Sequence, residues 1–226
     1  MISIALDGPS GSGKGTLAKG IAQKLNLIHL DTGAIFRGIA CGFLKLGLSE
    51  PTEEEVIENI NKFLVSVKIV DKKQQVFLDG ENITAGLREE AVSKLSSKLS
   101  AIMIVRELYL KIVKEFAEEY DCIIDGRDIS STVLPNADCK IYLTASEEVR
   151  AKRRYDENVE KNIACTYEEV LANIKERDYR DTHRDISPLI IVPGAFIVDN
   201  TDITIEETID VCYNYIVDVL KQGGKI

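Results

Sequence analysis

Residues Gly8-Pro-Ser-Gly-Ser-Gly-Lys-Gly-Thr16 combine type and spacing in a way that points to one chemistry, the gripping of phosphate. Gly8, Gly11, Gly13 and Gly15 let successive backbone N–H groups turn inward around an anion, with Pro9, Ser10 and Ser12 completing the loop. Lys14 adds a compact positive charge, and Thr16 supplies a hydroxyl just beyond it. The strand-like run Ile2–Asp7 precedes the loop and the helical stretch Leu17–Leu25 follows, so the positive end of a helix also faces the site. The expected ligand is the polyphosphate of a nucleoside triphosphate, with Lys14 at its β- and γ-phosphates. Gly15 separates lysine from hydroxyl, a departure from the general motif. GTP-dependent switches use such a loop too, but they need a guanine-reading Asn-Lys-x-Asp, which is absent. A mechanical or regulatory ATPase stays open on the loop alone.

Three further groups of residues could handle a second anion. Asp31-Thr-Gly-Ala-Ile-Phe-Arg37 puts an arginine just inside an expected helix, four residues after a glycine turn, where a plain surface arginine is the alternative. Cys122-Ile-Ile-Asp125 reads as a buried strand ending in a carboxylate, followed by Gly126-Arg127-Asp128. In open α/β sheets that carboxyl edge is where ligands bind, although a salt bridge between Arg127 and Asp128 fits as well. Arg177, Arg180, Asp181 and Arg184 stand at separations of three, four and seven, sharing a face if the helix persists; generic ion pairing is the alternative. His183 reads as an exposed or hydrogen-bonded histidine and not as a base.

The elements that must position these groups are short apolar runs at Ile2–Leu6, Cys122–Ile124, Lys140–Leu143 and Ala195–Val198, alternating with stretches of helical period. That alternation predicts an α/β fold with a parallel sheet. Thr52-Glu-Glu-Glu55, Thr166-Tyr-Glu-Glu169 and Thr204-Ile-Glu-Glu207 match the capping box and predict three helix starts. One stretch breaks the alternation: Val65–Val70, the polar turn Asp71–Gln74 and Gln75–Asp79 predict a small antiparallel insert.

Bulk properties narrow the partners. The 226 residues suit one core domain carrying small insertions, and 28 Lys plus Arg against 37 Asp plus Glu give a net charge of −9. That balance argues against a nucleic-acid backbone or an anionic membrane as partner, so an anionic substrate must be held by locally clustered arginines. Five cysteines, odd in number and without a C-x-x-C pair, read as reduced thiols in cytoplasm. No signal peptide or membrane span is expected.

Across nearly its entire length the chain resembles bacterial cytidylate kinases. The resemblance rests on Asp7–Thr16, Leu30-Asp-Thr-Gly-Ala-Ile-Phe-Arg37, Val105-Arg106-Glu107, Asp125-Gly-Arg-Asp-Ile129 and Lys175-Glu-Arg-Asp-Tyr-Arg-Asp181, in matching order and spacing. It implies a three-layer α/β/α fold of the P-loop nucleoside-triphosphate hydrolase type. The core would comprise 1–46, 86–150 and 185–226, with a β-containing monophosphate-binding insert at about 47–85 and a helical lid at about 151–184. It implies transfer of the γ-phosphoryl group of ATP to CMP or dCMP, with Mg2+ carried by ATP, in a cytoplasmic monomer. Arg37, Arg127 and Arg184 would hold the acceptor phosphate, and Thr32 and Phe36 would lie at the same acceptor site. Ser97, Arg106 and Asp128 would read cytosine, while Arg177 and Asp181 would contact the ribose hydroxyls.

Thr16 would touch phosphate or the magnesium shell. Arg150, Arg153 and Arg154, on a helix expected over 147–158, resemble the lid; Arg153 and Arg154 would close over ATP, and solvated helix charge is the alternative. Asp7 and Asp125 could organise magnesium through water or cap the loop as buried acceptors. Two departures stand out. Phe36 occupies a position where many members have tyrosine, and Ser130-Ser131 replaces Gly-Thr, which leaves the backbone path after Asp128 open. A kinase for UMP or another small acceptor, and a regulator that holds ATP without transferring it, are the competing readings.

Overall fold

The computed structural model describes residues 1–226. Along the first half of the chain run β1 (Ser3–Asp7), α1 (Lys14–Leu25), β2 (Ile28–Asp31), α2 (Thr32–Lys45), α3 (Glu53–Asn59), β3 (Val65–Val70), β4 (Lys73–Leu78) and β5 (Glu81–Asn82). The second half contains α4 (Glu90–Leu99), α5 (Met103–Glu119), β6 (Cys122–Gly126), β7 (Cys139–Thr144), α6 (Glu147–Glu160), α7 (Tyr167–His183), β8 (Phe196–Asp199) and α8 (Ile205–Gln222). The chain forms two compact units, Met1–Leu27 with Asp121–Ile226, and Ile28–Tyr120. The hairpin expected to form an insert over 47–85 thus belongs to a longer unit beginning at β2.

In the first unit β1 pairs in parallel with β6 and β7, and β7 pairs in parallel with β8. Ile4, Leu6, Ile123, Ile141, Leu143 and Val198 alternate along these strands and share one core with Leu17 and Ile21 of α1 and Cys212, Ile216 and Leu220 of α8. Side chains two apart on each strand share a face and meet side chains four apart on each helix, which is how this set forms one layer of core. Ala151 of α6 forms a smaller cluster with Val170 and Ile174 of α7, which holds those helices side by side.

In the second unit β3, β4 and β5 form an antiparallel sheet. The expected hairpin is present with a tighter turn: β4 begins at Lys73, and Asp71 and Lys72 both have positive φ, 50° and 60°. A two-residue turn of that hand matches the twist of the flanking strands, which is why the polar stretch is shorter than its composition suggests. All three capping boxes form, at Thr52, Thr166 and Thr204. No helix is long and apolar enough to cross a membrane.

Candidate active site

The loop between β1 and α1 owes its path to glycine at two points. Gly8 has φ 152°, and a Cβ there would lie 2.0 Å from the Leu143 carbonyl oxygen of β7. Gly13, at φ 92°, is the left-handed residue from which α1 starts, and its carbonyl accepts from the Thr16 and Leu17 amides at 3.1 and 3.0 Å. Lys14 is the first residue of α1 and only 6% exposed. Its Nζ donates to the Pro9 carbonyl at 2.7 Å and to Ser12 Oγ at 3.3 Å, so its head lies inside the loop. Burial, reinforced by the Arg127 guanidinium, pushes its pKa well below the usual lysine value. Such a cation is poised for an anion. Thr16 is exposed on the first turn of α1.

Asp7, at the end of β1 and 2% exposed, takes the capping role. Its two oxygens accept from the Ile129 and Ser130 amides at 2.8 and 2.7 Å. Burial raises its pKa despite those donors and the Lys14 charge. These bonds also set the backbone path after Asp128: Ile129–Val133 forms one π-helical turn, its start pinned to β1. Ser130 is buried on that turn, with its side chain as well as its amide beside the Asp7 carboxylate.

Beyond β6, the Arg127–Asp128 salt bridge considered from sequence gives way to two cross-pairings. Arg127 Nε donates to Asp181 Oδ2 of α7 at 2.8 Å, and Arg184 Nη2 lies 3.5 Å from Asp128 Oδ1. Arg184 is the C-cap of α7 and also donates from Nε to the Ser187 carbonyl at 2.7 Å. Asp128 and Arg184 side chains are 4% and 11% exposed. Arg177 adds its field to Lys14 and Asp181 from the exposed side of α7. Arg180 is exposed, with Nη2 3.7 Å from Glu176 Oε1, and His183 is exposed with its ring stacked on Tyr179.

Burial tends to raise the pKa of Asp181, but the Arg127, Arg177 and Arg184 guanidiniums outweigh it and hold the carboxyl below the usual range. Its contribution to stability is therefore complete above the ordinary carboxylate pKa of ~3.9 and is lost as pH falls through the depressed folded value. Asp181→Asn should lower the urea midpoint at pH 7 and flatten its decline below about pH 4. An unchanged acid limb in the variant would place the acid sensitivity elsewhere.

The arginines of α6 divide by role. Arg150 is 4% exposed and donates to the Ala145 and Ser10 carbonyls at 2.8 and 2.9 Å and to Asp178 of α7. Arg153 donates to Asn200 Oδ1 and to the Asn200 carbonyl at 3.0 and 2.8 Å, and Asn200 Nδ2 donates to the Ser12 carbonyl at 3.1 Å. Arg153 is thereby tied to the loop through a buried amide. Arg154 pairs with Glu157 at 3.0 Å and is largely exposed.

Other residues singled out from the sequence lie in the second unit. Asp31 caps α2 by accepting from the Ala34 amide at 3.2 Å, and its other oxygen accepts from Arg37 Nη2 at 2.8 Å. The glycine turn expected before Arg37 is absent. Gly33 lies inside α2, where a Cβ would come 3.0 Å from both Arg37 Nη1 and Asp31 Oδ1. Arg37 Nε is buried without a hydrogen-bond partner in the protein, a cost that a bound anion would remove. Thr32 is the first residue of α2 and buried. Phe36 stacks on Tyr109 of α5 with ring centroids 4.4 Å apart. The Arg106 guanidinium lies 5.9 Å from the Phe36 centroid and 5.7 Å from that of Tyr109, and its Nη1 donates to the Ser100 carbonyl at 3.1 Å. Ring faces and a guanidinium in this arrangement attract by the ring quadrupole. Ser97 is half-buried on α4.

Asp178, Asn200 and Tyr109 were not legible as site residues. Asp178 sits inside the charged run Lys175–Asp181, where nothing distinguishes a buried acceptor from its solvated neighbours. Asn200 stands just past the expected strand Ala195–Val198, and a polar residue at a strand's carboxyl end was the one available signal.

Comparison with known proteins bears on the whole chain. A likeness that shows the fold alone is to an uncharacterized protein from Eubacterium ventriosum, with TM-score 0.55 and 13% identity over 96% of this chain and 98% of that one. A gluconokinase from Sinorhizobium meliloti gives TM-score 0.50 and 13% identity over 98% and 94%. Sequence relatives reach further: a cytidylate kinase from Caldicellulosiruptor bescii is 42% identical over 208 residues, 92% of either chain. One from Enterococcus faecalis is 39% identical over 223 residues, 99% of this chain and 97% of the relative. The cytidylate kinase family model matches residues 4–218, and with that span and those identities the chain belongs to the cytidylate kinase family.

Proposed function

We propose that this chain transfers the γ-phosphoryl group of ATP to CMP, and to dCMP, yielding ADP and the nucleoside diphosphate. The observation that carries the reading is a phosphate loop with a desolvated Lys14 in a chain where three arginines expected to hold the acceptor phosphate are each set against a carboxylate: Arg127 with Asp181, Arg184 with Asp128, Arg37 with Asp31. A guanidinium presents paired donors in a fixed fork, and a phosphate dianion offers what the resident carboxylate offers with more charge. Substrate can replace the carboxylates without leaving a buried cation alone.

The acceptor phosphate has a second pKa near ~6, so at neutral pH its oxygen is already anionic and no general base is needed. The chemistry left to the protein is to bring two polyanions in line and to offset the charge on the transferring group with Lys14, Arg127 and Arg184. Mg2+ bound with ATP would supply further charge neutralisation. The Thr16 hydroxyl and the Asp125 carboxylate suit the water shell of such a hard cation, and Asp7 would act there only alongside the two amide bonds its oxygens accept. In the base site Asp128 would accept from the exocyclic amine of cytosine, with Ser97 and Arg106 facing the ring's acceptor edge, Phe36 and Thr32 beside the acceptor and Arg177 and Asp181 toward the ribose. Arg153 and Arg154 are assigned to the ATP side. The setting that fits is a monomer in cytoplasm using free nucleotides, with neither nucleic acid nor membrane as partner.

An acceptor panel with ATP and magnesium tests this. CMP and dCMP should be phosphorylated in preference to UMP, and Asp128→Ala should raise KM for CMP by at least ~10-fold while KM for ATP stays within about twofold, the size expected for one lost charged hydrogen bond. Equal use of UMP and CMP would point to the broader pyrimidine kinase; ATP binding without any diphosphate would point to a regulator.

A further inference from the structure

We infer that Arg150 and Asp178 are a positioning pair that presets the phosphate loop by gripping both backbone groups of Ser10. The Ser10 amide donates to Asp178 Oδ1 at 3.1 Å, and the Ser10 carbonyl accepts from Arg150 Nη1 at 2.9 Å. Arg150 and Asp178 also bond to each other, and Arg150 Nε donates to the Ala145 carbonyl at 2.8 Å, which ties the guanidinium to the segment leading out of β7. Both side chains are sequestered, at 5% and 13% exposure. One residue of the loop is thus held through its N–H by α7 and through its C=O by α6.

The packing around the loop agrees. A Cβ on Gly11, where φ is 76°, would lie 3.2 Å from Arg150 Cβ and 3.6 Å from Ile174 Cδ1, so α6 and α7 press against the first half of the loop itself. A loop whose N–H groups converge on an anion site is unfavourable when empty, because like ends of the peptide dipoles face one another. Contacts formed outside that convergence oppose its collapse before ligand arrives, and affinity then improves because less ordering remains to be done on binding. Asp178 directs the Ser10 amide outward, toward itself, and leaves the inward donors to the residues around Lys14.

A buried ion pair could instead serve folding alone, and the two roles separate by substitution. Exchanging both partners of such a pair for apolar residues of similar volume is often neutral for stability. It would nonetheless strip Ser10 of both partners. The Arg150→Met/Asp178→Leu double variant should therefore keep a thermal midpoint near that of the parent, bind ATP about 10-fold more weakly by calorimetry, and bind CMP within twofold of the parent. Asp178→Asn, which keeps an acceptor of similar shape but loses the charge that holds Arg150, should weaken ATP by a similar factor should the double variant not fold. ATP affinity within twofold of the parent in a folded variant, or a uniform loss of ATP and CMP binding that tracks the thermal midpoint, would overturn the inference.

This inference rests on the reading of the loop as the ATP site, and CDP formation by the parent is followed in the same series. A parent that binds ATP but forms no CDP would sink the transfer reading and leave the pair's role to be decided by the variants' ATP affinities. A parent that does not bind ATP would overturn both.

Discussion

Replacing Lys14 by alanine lowers turnover with ATP and CMP by at least ~100-fold, the range typical of lost transition-state charge stabilisation, and leaves the thermal midpoint at or above that of the parent. The two halves of this result have one cause. Lys14 is buried beside the Arg127 guanidinium, and both effects disfavour its charge. A lysine whose folded pKa is depressed below its unfolded value costs the folded state stability at neutral pH, so removing it relieves that cost. The Pro9 carbonyl and Ser12 hydroxyl lose a donor in exchange, which keeps the expected gain small. The same cation becomes favourable only when polyphosphate enters, which is the trade of stability for function expected at an active site. Turnover within tenfold of the parent, or a large drop in the midpoint, would place Lys14 among structural residues.

Arg184→Met is expected to have an effect of similar size, at least ~100-fold on turnover, but with the opposite consequence for stability. Methionine removes the guanidinium while keeping much of the side chain's bulk. Asp128, 4% exposed, then loses the cation 3.5 Å away, and the Ser187 carbonyl loses its donor. Weakening the pairing of a buried carboxylate is destabilising, so the midpoint should fall along with turnover. Arg184→Lys separates the two: it restores a charge for Asp128 and should recover most of the lost stability, yet a point charge cannot reproduce two parallel donors to a phosphate, so turnover should recover only partly. Full recovery by lysine would show that charge, and not fork geometry, is what the site requires.

How far the fold could be read from the residues depended on whether each signal was local. The three capping boxes are local: Thr52, Thr166 and Thr204 each bond to a glutamate three residues on, and each helix starts where its box lies. The parallel strands were legible because they are continuously apolar. β2 was not, since Ile28–Asp31 has only four residues and one of them, Leu30, is fully buried. Gly33 misled because glycine usually interrupts a helix, whereas here the Asp31–Arg37 pair occupies the space that a side chain would need.

The site divides in the same manner. The loop could be read as a unit because its chemistry is contiguous in sequence. The resemblance pointed to the arginines and to Asp128 and Asp181, but not to which pairs with which, because Arg127 meets Asp181 and Arg184 meets Asp128 only through tertiary structure. At Phe36 the sequence predicts that tyrosine's hydroxyl bond is lost while stacking or packing remains, and in the structure the ring stacks on Tyr109 beside Arg106.

Phosphorus NMR of ATP, CMP and magnesium incubated with the chain tests the central claim most directly. Direct transfer predicts that ADP and CDP appear in equal amounts from the first time points, with no inorganic phosphate accompanying them. ATP loss matched by inorganic phosphate, with CMP left intact, would contradict it.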